Sequence, residues 1–315
     1  MIPRHTQHDH LVDKSRAAIA KGSKSFALAA MLFDAKTRER AWLLYAWCRH
    51  CDDVIDAQIG GHGHVEPVDD IDTRLAHIEG LTRRALAGET TGDWPFDALG
   101  RVAAETGLPA RYPLELIAGF AMDARERNYR SFDDTLDYCY HVAGVVGVMM
   151  AIVMGVDPDD RATLERAADL GLAFQLNNIV RDIFDDAKIG RCYLPDEWLT
   201  DADIPPGEFD KPNFARALAE VVARIVAEGE RYADSARYGT PALPFRSAWA
   251  VLSAADIYAG IGREVRRLGP DAWRTRVSTP KPAKLAAVAK ALPQAAARHL
   301  LYAGASPRDG LWTMP

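Results

Sequence analysis

The sequence LGLAFQLNNIVRDIFDD, residues 170–186, decides the fold. Its apolar residues recur every three to four positions and no proline interrupts them, so the spacing predicts a helix. Gln175, Asn178, Asp182 and Asp186 fall on one stripe of that helix, bordered by apolar residues. Burying carboxylates is costly unless something neutralises them, so the stripe is a candidate functional site.

A second stretch, AWLLYAWCRHCDDVID at residues 41–56, has the same organisation. Tyr45, Arg49, Asp52 and Asp56 lie within about 60° of one another around the predicted helix. The two outer carboxylates are then one turn apart, about 6 Å along the helix axis. Apolar residues flank this stripe as well, which indicates that it faces inward.

Two same-face pairs of carboxylates on two helices suit divalent cations. Mg²⁺ prefers hard oxygen ligands and typically bridges a few carboxylates to phosphate oxygens. Arg49 and Arg181 stand beside the two clusters, and arginine matches phosphate geometry in a bidentate manner. The residues therefore predict Mg²⁺-diphosphate binding. For a single cluster of this kind, a solvated acidic helix face is the alternative.

The rest of the chain predicts the same all-α fold class. Alternating β-branched runs and hairpin turn dipeptides are missing, and the periodic segments are rich in helix formers. Gly- and Pro-rich breaks are too short to be interdomain linkers. We predict a single all-helical domain over residues 1–315, with its core at about 15–302 and flexible termini. The predicted helices span residues 11–22, 37–56, 71–88, 96–106, 111–126, 132–155, 160–187, 211–236, 245–268 and 281–302.

Composition excludes several function classes. With 38 Lys and Arg against 44 Asp and Glu, the net charge of −6 argues against nucleic-acid binding. The four cysteines suit a reducing compartment, and the N-terminus has no signal-peptide core. The longest apolar run, 142–156, is shorter than the roughly 20 residues that a spanning helix needs. We expect a cytoplasmic protein whose contact with a membrane is peripheral.

Five segments together resemble the squalene/phytoene synthase family of head-to-head prenyltransferases, over roughly residues 15–270. The segments are GSKSFALAAMLFDAKTR, LYAWCRHCDDVID, DDTLDYCYHVAGVVGVMM, LGLAFQLNNIVRDIFDDAKIGRCYLP and LPFRSAW. This resemblance implies an isoprenoid-synthase-type helical bundle. In that bundle the two acidic motifs lie on facing helices around a central cavity.

The resemblance also implies roles for individual residues. The ligands of Mg²⁺, or of Mn²⁺, would be Asp52, Asp53, Asp56, Asp182, Asp185 and Asp186. Contacts to the substrate diphosphates would come from Ser23, Ser25, Arg49, Arg181 and Arg191. The polar residues of the cavity would be Tyr45, Tyr138, Gln175, Asn178 and Tyr258. Tyr193 would lie in a segment that closes over the site, and Phe26 would line the hydrocarbon cavity.

The implied reaction is the condensation of two geranylgeranyl diphosphates through prephytoene diphosphate to phytoene. This is the first committed step of carotenoid biosynthesis. No NADPH is expected, because the chain has no nicotinamide-binding signature. Hydrophobic substrates and products imply transient contact with the inner membrane. No strongly basic amphipathic helix stands out in the sequence. Downstream carotenoid enzymes are possible partners.

Three alternatives remain open at this stage. A relative that joins fifteen-carbon units into dehydrosqualene or squalene would differ only in the depth of its cavity. A head-to-tail chain-elongating synthase would also satisfy the DDxxD pattern of DDVID at 52–56. A non-catalytic scaffold could use the same bundle, although scaffolds are expected to lose the carboxylates that are intact here.

Overall fold

The computed structural model describes residues 4–22, 29–56, 69–125, 127–304 and 308–315. Every regular element in these ranges is helical, which confirms the predicted all-α class. The α-helices are α1 (Arg4–Gly22), α2 (Ala35–Asp56), α3 (Ile71–Leu86), α4 (Trp94–Thr106), α5 (Arg111–Ala124), α6 (Phe132–Cys139), α7 (Val145–Val153), α8 (Arg161–Lys188), α9 (Asp196–Asp201), α10 (Ala215–Arg237), α11 (Phe245–Leu268), α12 (Lys281–Ala296) and α13 (Arg298–Leu301).

Each of the ten predicted helices has a counterpart among the observed ones, but three details differ. The helix predicted over 132–155 contains a π-helical turn at Tyr140–Gly144, which separates α6 from α7. The helix predicted over 281–302 is broken at Ala297 into α12 and α13. The six-residue helix α9 was not predicted, because it is too short to show a periodic pattern.

The chain divides into two compact units, and the first comprises Met1–Arg125 and Val148–Asp160. Helix α2 is central in this unit, where it packs against α1, α3, α4 and α5. Trp47 of α2 is fully buried, and its indole N–H donates to Thr82 Oγ1 at 3.3 Å. Burial of this large residue fixes α2, and with it the acidic residues of its last turns, within the unit.

The second unit comprises Glu126–Gly147 and Arg161–Pro315, and α8 is its central helix. Helices α6, α10 and α11 and the π-helical turn pack against α8, while α12 packs against α11. Leu172, Leu176 and Ile183 of α8 are buried. The helix that decided the fold from sequence is therefore the core helix of this unit. The prediction of one domain for the whole chain stays a prediction.

The π-helical turn and α8 approach each other at three glycines. A Cβ on Gly171 would lie 2.2 Å from the carbonyl oxygen of Ala143, and one on Gly147 would lie 2.3 Å from that of Ala167. A Cβ on Gly144 would meet the side chain of Leu172 at 2.7 Å. No larger residue fits without moving a helix. The small residues of VAGVVG, residues 142–147, therefore serve close helix packing.

Gly262 of α11 makes room for a buried polar side chain of α8. A Cβ on Gly262 would lie 2.0 Å from Asn177 Oδ1, while Asn177 Nδ2 donates to the carbonyl oxygen of Ala173 at 2.7 Å. The isolated Gly-x-Gly at 260–262 thus has a packing reason and carries no nucleotide-binding signal.

The last residues of the chain are anchored to the second unit. The guanidinium of Arg308 donates to both carboxylate oxygens of the buried Asp169, at 2.7 and 3.0 Å, and binds Glu165 at 2.5 Å. The backbone N–H of Trp312 donates to the Tyr232 hydroxyl at 3.0 Å. Residues 308–315 are therefore held against the second unit by these contacts.

Among the described residues, one helical segment is long and apolar enough to cross a membrane, at Phe132–Val153. Within it, 67% of the apolar window is buried inside the protein. A core helix has the same composition, which is the interpretation that the sequence favours for residues 142–156.

Candidate functional site

The first acidic cluster lies in the last turns of α2 and consists of Asp52, Asp53 and Asp56. Helix α2 starts at a polar cap, where the Thr37 backbone N–H and hydroxyl donate to Asp34 at 3.1 and 2.6 Å. The hydrogen bond from the Thr37 side chain lowers the pKa of Asp34, which favours its charged, capping form. From this cap the helix runs without interruption to Asp56.

Asp52 carries the most perturbed carboxylate of the first cluster. Burial, together with the nearby carboxylates of Asp56 and Asp53, raises the pKa of Asp52 to about 6 against the opposing charge of Arg49. Arg49 Nη1 lies 2.5 Å from Asp52 Oδ2 and 3.7 Å from Asp53 Oδ1. Asp52 therefore stands among like charges that a bound cation would neutralise.

The backbone at the end of α2 is held by a residue from α3. Arg74 Nη1 donates to the carbonyl oxygens of Val54 and Ile55, at 3.0 and 2.6 Å. Terminal carbonyls of a helix have no partner within the helix, and a cation there also complements the helix dipole. Arg74 thus fixes the turn that carries the acidic residues, and nothing in its sequence context indicates this role.

The second acidic cluster lies at the end of α8 and contains Asp182, Asp185 and Asp186. Two arginines bind both oxygens of Asp182. Arg181 Nε lies 2.8 Å from Oδ1 and its Nη2 bonds to Oδ2, while Arg276 Nε and Nη2 donate at 3.0 and 2.9 Å. Burial raises the pKa of Asp182, but the hydrogen bonds from Arg181 and Arg276 outweigh it, so the pKa lies below its usual value.

Trp273 explains how Arg276 reaches the second cluster from the irregular segment after α11. The Trp273 indole N–H donates to the carbonyl oxygen of Val180 at 2.9 Å, and its ring lies 5.2 Å from the ring of Phe184. These contacts hold the segment against the acidic end of α8. Sequence analysis missed both residues, because an irregular segment has no periodicity that would predict its contacts.

The polar stripe of α8 has the organisation that the sequence predicts. Gln175 and Asn178 are half-buried and hydrogen-bonded to each other, with Asn178 Nδ2 donating to Gln175 Oε1 at 3.3 Å. Asp185 is exposed and pairs with Lys188 at 2.8 Å, so it is the least enclosed carboxylate of the cluster. Of the two carboxylates Asp182 and Asp185, only Asp182 is enclosed enough for a charge interaction that is shielded from water.

Two predicted site residues from the segment after α8 lie close to the second cluster. Asp186, Arg191 and Tyr193 line one small cavity in the second unit. The hydroxyl of Thr135 in α6 donates to the carbonyl oxygen of Tyr193 at 3.0 Å, which fixes the segment in place. The structure thus brings an acidic residue, a basic residue and an aromatic residue of the prediction together.

Three tyrosines form a buried aromatic cluster beside this cavity. Tyr138 stacks on Tyr193 with ring centroids 4.7 Å apart, and Tyr129 lies 5.3 Å from Tyr138 and 5.6 Å from Tyr193. Tyr129 was not predicted. Tyr258 lies apart from these rings and stacks on Phe174 at 4.0 Å. Electron-rich ring faces of this kind attract cations.

The carboxylates fit a hard divalent cation that keeps much of its own water. Among the described residues, no three or more His, Cys, Asp or Glu side chains lie close enough to enclose a metal ion. Mg²⁺ typically binds one or two carboxylates and takes its other oxygens from water and phosphate. The neighbouring carboxylates of Asp52, Asp53 and Asp56 supply oxygen donors of the kind that such binding uses.

Several predicted site residues need separate mention. Ser23, Ser25 and Phe26 lie outside the described residues. Tyr45 is half-buried one turn before Arg49, and burial raises the pKa of its hydroxyl. The roles assigned to all site residues, and a common cavity for the two acidic clusters, stay predictions of the resemblance.

Comparison with known proteins gives one consistent answer. Residues 19–283 match the family model of squalene/phytoene synthase. A protein from Pantoea ananas named 15-cis-phytoene synthase is 46% identical over 306 residues, which cover 97% of this chain and 98% of the relative. A protein of the same name from Paracoccus sp. (strain N81106 / MBIC 01143) is 48% identical over 305 residues, with coverage of 97% and 98%.

A solved structure of a dehydrosqualene synthase in complex with ligand has the same fold, with a TM-score of 0.81. It is 24% identical to this chain and covers 91% of it, and 96% of the solved chain is matched. This likeness confirms the predicted fold class. The family-model match and the near-full-length relatives show that the chain belongs to the squalene/phytoene synthase family.

Proposed function

We propose that this chain is a phytoene synthase, which condenses two geranylgeranyl diphosphates head to head into phytoene. The observation that carries the proposal is the pairing of arginine with carboxylate in both acidic clusters. Asp52 is bound by Arg49, and Asp182 by Arg181 and Arg276. A metal ion and a diphosphate can replace these internal pairs, with the carboxylates binding the metal and the arginines binding phosphate oxygens.

The choice of a twenty-carbon substrate is supported by the near-full-length relatives. Two of them, 46% and 48% identical to this chain, are named 15-cis-phytoene synthase. The fifteen-carbon alternative, which gives dehydrosqualene or squalene, uses the same acidic clusters. The two reactions can therefore be distinguished by which substrate the protein accepts, and they cannot be distinguished by which acidic residues it carries.

The reaction begins with cleavage of the bond between C1 and oxygen of one donor. When bound, Mg²⁺ neutralises charge on the diphosphate and makes it a better leaving group. The arginines bind phosphate oxygens at their own acidic clusters, Arg49 in the first unit and Arg181 and Arg276 in the second. Arg191 supplies a further cation next to Asp186 in the second unit. The double bond of the second substrate attacks C1 of the resulting allylic cation. Loss of one proton closes the cyclopropane of prephytoene diphosphate.

In the second half-reaction, prephytoene diphosphate loses its diphosphate and rearranges to the 1′-1 linkage. A second proton is lost to form the central double bond, so two diphosphates and two protons leave per phytoene. The stacked rings of Tyr138, Tyr193 and Tyr129 stabilise positive charge through their π faces. Their burial excludes the water that would quench a carbocation.

The remaining parts of the proposal concern cofactor and location. Mg²⁺, or Mn²⁺ in its place, serves as the metal, and no NADPH takes part because the product keeps its central double bond. The protein works in the cytoplasm and contacts the inner membrane peripherally, where its greasy substrate and product reside. Downstream carotenoid enzymes receive the product there.

The test compares substrates of two chain lengths. Purified protein is incubated without NADPH, in detergent and Mg²⁺, with radiolabelled geranylgeranyl diphosphate or with radiolabelled farnesyl diphosphate. We expect a forty-carbon hydrocarbon from the first reaction and its absence when EDTA replaces Mg²⁺. A thirty-carbon hydrocarbon from the second reaction alone would transfer the chain to the dehydrosqualene branch. No hydrocarbon from either would favour the scaffold alternative.

Replacing Arg276 by glutamine should have two opposite effects. Loss of a guanidinium that binds diphosphate should lower kcat/KM by about 10- to 100-fold, as expected for one charge-assisted hydrogen-bonding group. Asp182 loses a competing partner, so the Mg²⁺ concentration for half-maximal activity should fall. Steady-state kinetics over a Mg²⁺ titration measures both.

The matched control for this change is Arg274→Gln, two residues away in the same segment. Arg274 is exposed and pairs with Asp271 at 2.9 Å, away from both acidic clusters. We expect its kinetics to match the wild type. If Arg276→Gln lowered thermal stability but left kcat/KM and the Mg²⁺ dependence unchanged, Arg276 would have only a structural role.

A further inference from the structure

The C-terminal part of the chain has a charge opposite to that of the rest. Residues 272–308 contain seven Lys and Arg and no Asp or Glu, although the whole chain contains 38 basic and 44 acidic residues. The rest of the chain therefore has 31 basic residues against the same 44 acidic ones. Four of the seven, Arg274, Arg276, Lys290 and Arg308, pair with carboxylates outside the segment. The other three lie in α12 and α13, which contain no acidic residue, and such a basic stretch indicates a surface for an anionic partner.

Helix α12, inside this segment, has apolar residues on two opposite faces. Its inner face packs on α11, with Ala291 and Ala295 buried and the Trp249 indole N–H donating to the Val288 carbonyl oxygen at 2.8 Å. Its outer face is a stripe at helical spacing whose members are all exposed. They are Leu285, Ala289, Leu292 and Ala296.

The apolar stripe continues into α13. Leu285 is 65% exposed and Leu292 is 41% exposed, and Leu300 and Leu301 of α13 are 84% and 51% exposed. Few other large apolar side chains of the described residues are exposed to this extent. Isolated exposed leucines are ordinary, but a row of them on consecutive turns marks a surface that meets an apolar partner.

Basic side chains flank this stripe. Lys281 and Lys284 lie in the first turn of α12, and Arg298 in α13 donates to the Leu243 carbonyl oxygen at 3.3 Å. That contact brings α13 next to the start of α11, where Phe245 and Arg246 are exposed. Lys290 pairs with the buried carboxylate of Asp256 at 3.1 Å and is not counted as a flanking charge.

We propose that α12 and α13 form a docking surface for an anionic lipid bilayer. A helix that lies on a membrane buries apolar side chains at the level of the acyl chains while its lysines and arginines stay among the headgroups. Anionic headgroups attract each basic side chain near the surface, and the absence of carboxylates removes the opposing repulsion. The surface deepens the membrane association proposed above and rests on it.

The positive charge of α12 and α13 also makes a second copy of the chain an unfavourable partner for this surface. A twofold dimer places the same patch of both copies face to face. Lys281, Lys284 and Arg298 would then lie against their own counterparts, without a carboxylate in residues 272–308 to neutralise them. An anionic bilayer pairs with the same residues favourably.

The test is vesicle sedimentation of the full chain. Vesicles of phosphatidylcholine alone are compared with vesicles of phosphatidylcholine and phosphatidylglycerol. We expect binding to the mixed vesicles, weak binding to the neutral ones, and weakening with added salt. Leu285→Gln/Leu292→Gln should lower the partition coefficient at least about tenfold, and Lys281→Gln/Lys284→Gln by a similar factor.

Matched controls separate this surface from general effects. Lys211→Gln/Arg216→Gln removes two exposed positive charges elsewhere in the second unit, and Met31→Gln replaces an apolar residue that is also 65% exposed. Both controls should bind like the wild type. Thermal unfolding of each variant checks that it is folded, which is expected because none of the replaced side chains is fully buried.

The outcomes distinguish the surface from the wider proposal. If the wild type does not sediment with anionic vesicles, both the proposed docking surface and the proposed membrane association are wrong. If the wild type binds and the α12 variants bind equally well, the association stands and the surface is wrong. If the leucine variant keeps vesicle binding but converts a dimer into a monomer in light scattering, the stripe is a self-association surface and our assignment fails. Hydrocarbon synthesis in detergent tests the catalytic proposal independently.

Discussion

Asp182→Asn is expected to lower the rate of hydrocarbon formation by at least about 1,000-fold, because metal-assisted charge neutralisation supplies several kcal/mol to diphosphate departure. The amide keeps the shape of the side chain but removes the charge that would bind a divalent cation. It also replaces one of the two oxygens that accept from Arg181 and Arg276 with an N–H donor. Radiolabelled geranylgeranyl diphosphate, with product extracted into hexane, measures the rate.

The matched control for this variant is Glu264→Gln in α11. Glu264 is also bound by both nitrogens of an arginine fork, since Arg267 donates to it at 2.8 and 2.6 Å, but it is exposed and outside both acidic clusters. We expect full activity from it. Retention of more than about a tenth of wild-type activity by Asp182→Asn would contradict a metal-binding role, because that loss is less than 1.4 kcal/mol.

Gly171→Ala is expected to destabilise the protein by about 3 kcal/mol or more. The new Cβ would lie 2.2 Å from the carbonyl oxygen of Ala143 and 2.6 Å from the Cα of Gly144. Both contacts are with backbone, so no side chain can rotate away, and α8 must separate from the π-helical turn. Calorimetry should show a fall in melting temperature of roughly 4–5 °C or more, because the entropy of unfolding is about 2.1 cal/mol/K per residue.

Gly80→Ala is the matched control for the same change of residue. Gly80 lies within α3, and a Cβ there would meet nothing within 4 Å. Alanine is the better helix former, so this variant should gain about 0.5–1 kcal/mol. If both variants melted like the wild type, the close helix contact at Gly171 would be wrong.

Sequence reasoning found the helices because their apolar residues repeat with the helical period over many turns. Helix α8 is the clearest case, since the residues predicted to border its polar stripe, Gly171, Leu172 and Ile179, are buried. The same periodicity placed Gln175, Asn178 and Asp182 on one stripe. Short or irregular elements lack this repeat, which is why α9 and the π-helical turn were not predicted.

The contacts that complete the site could not be predicted, because they come from residues distant in sequence. Arg276 reaches Asp182 because the segment after α11, which carries both Trp273 and Arg276, is held on α8 by the Trp273 hydrogen bond. Arg74 meets the end of α2 from another helix. The basic segment from 272 to 308 is visible in the sequence, yet only the packing of α12 on α11 determines which of its apolar faces is exposed.

The most direct test of the account is a single-turnover time course with excess enzyme and radiolabelled geranylgeranyl diphosphate, without NADPH. We predict that a cyclopropyl diphosphate of forty carbons rises and then falls as a forty-carbon hydrocarbon appears. Two diphosphates should be released for each hydrocarbon. A final product that retains its diphosphate, with one diphosphate released per coupling, would instead show head-to-tail elongation and contradict the account.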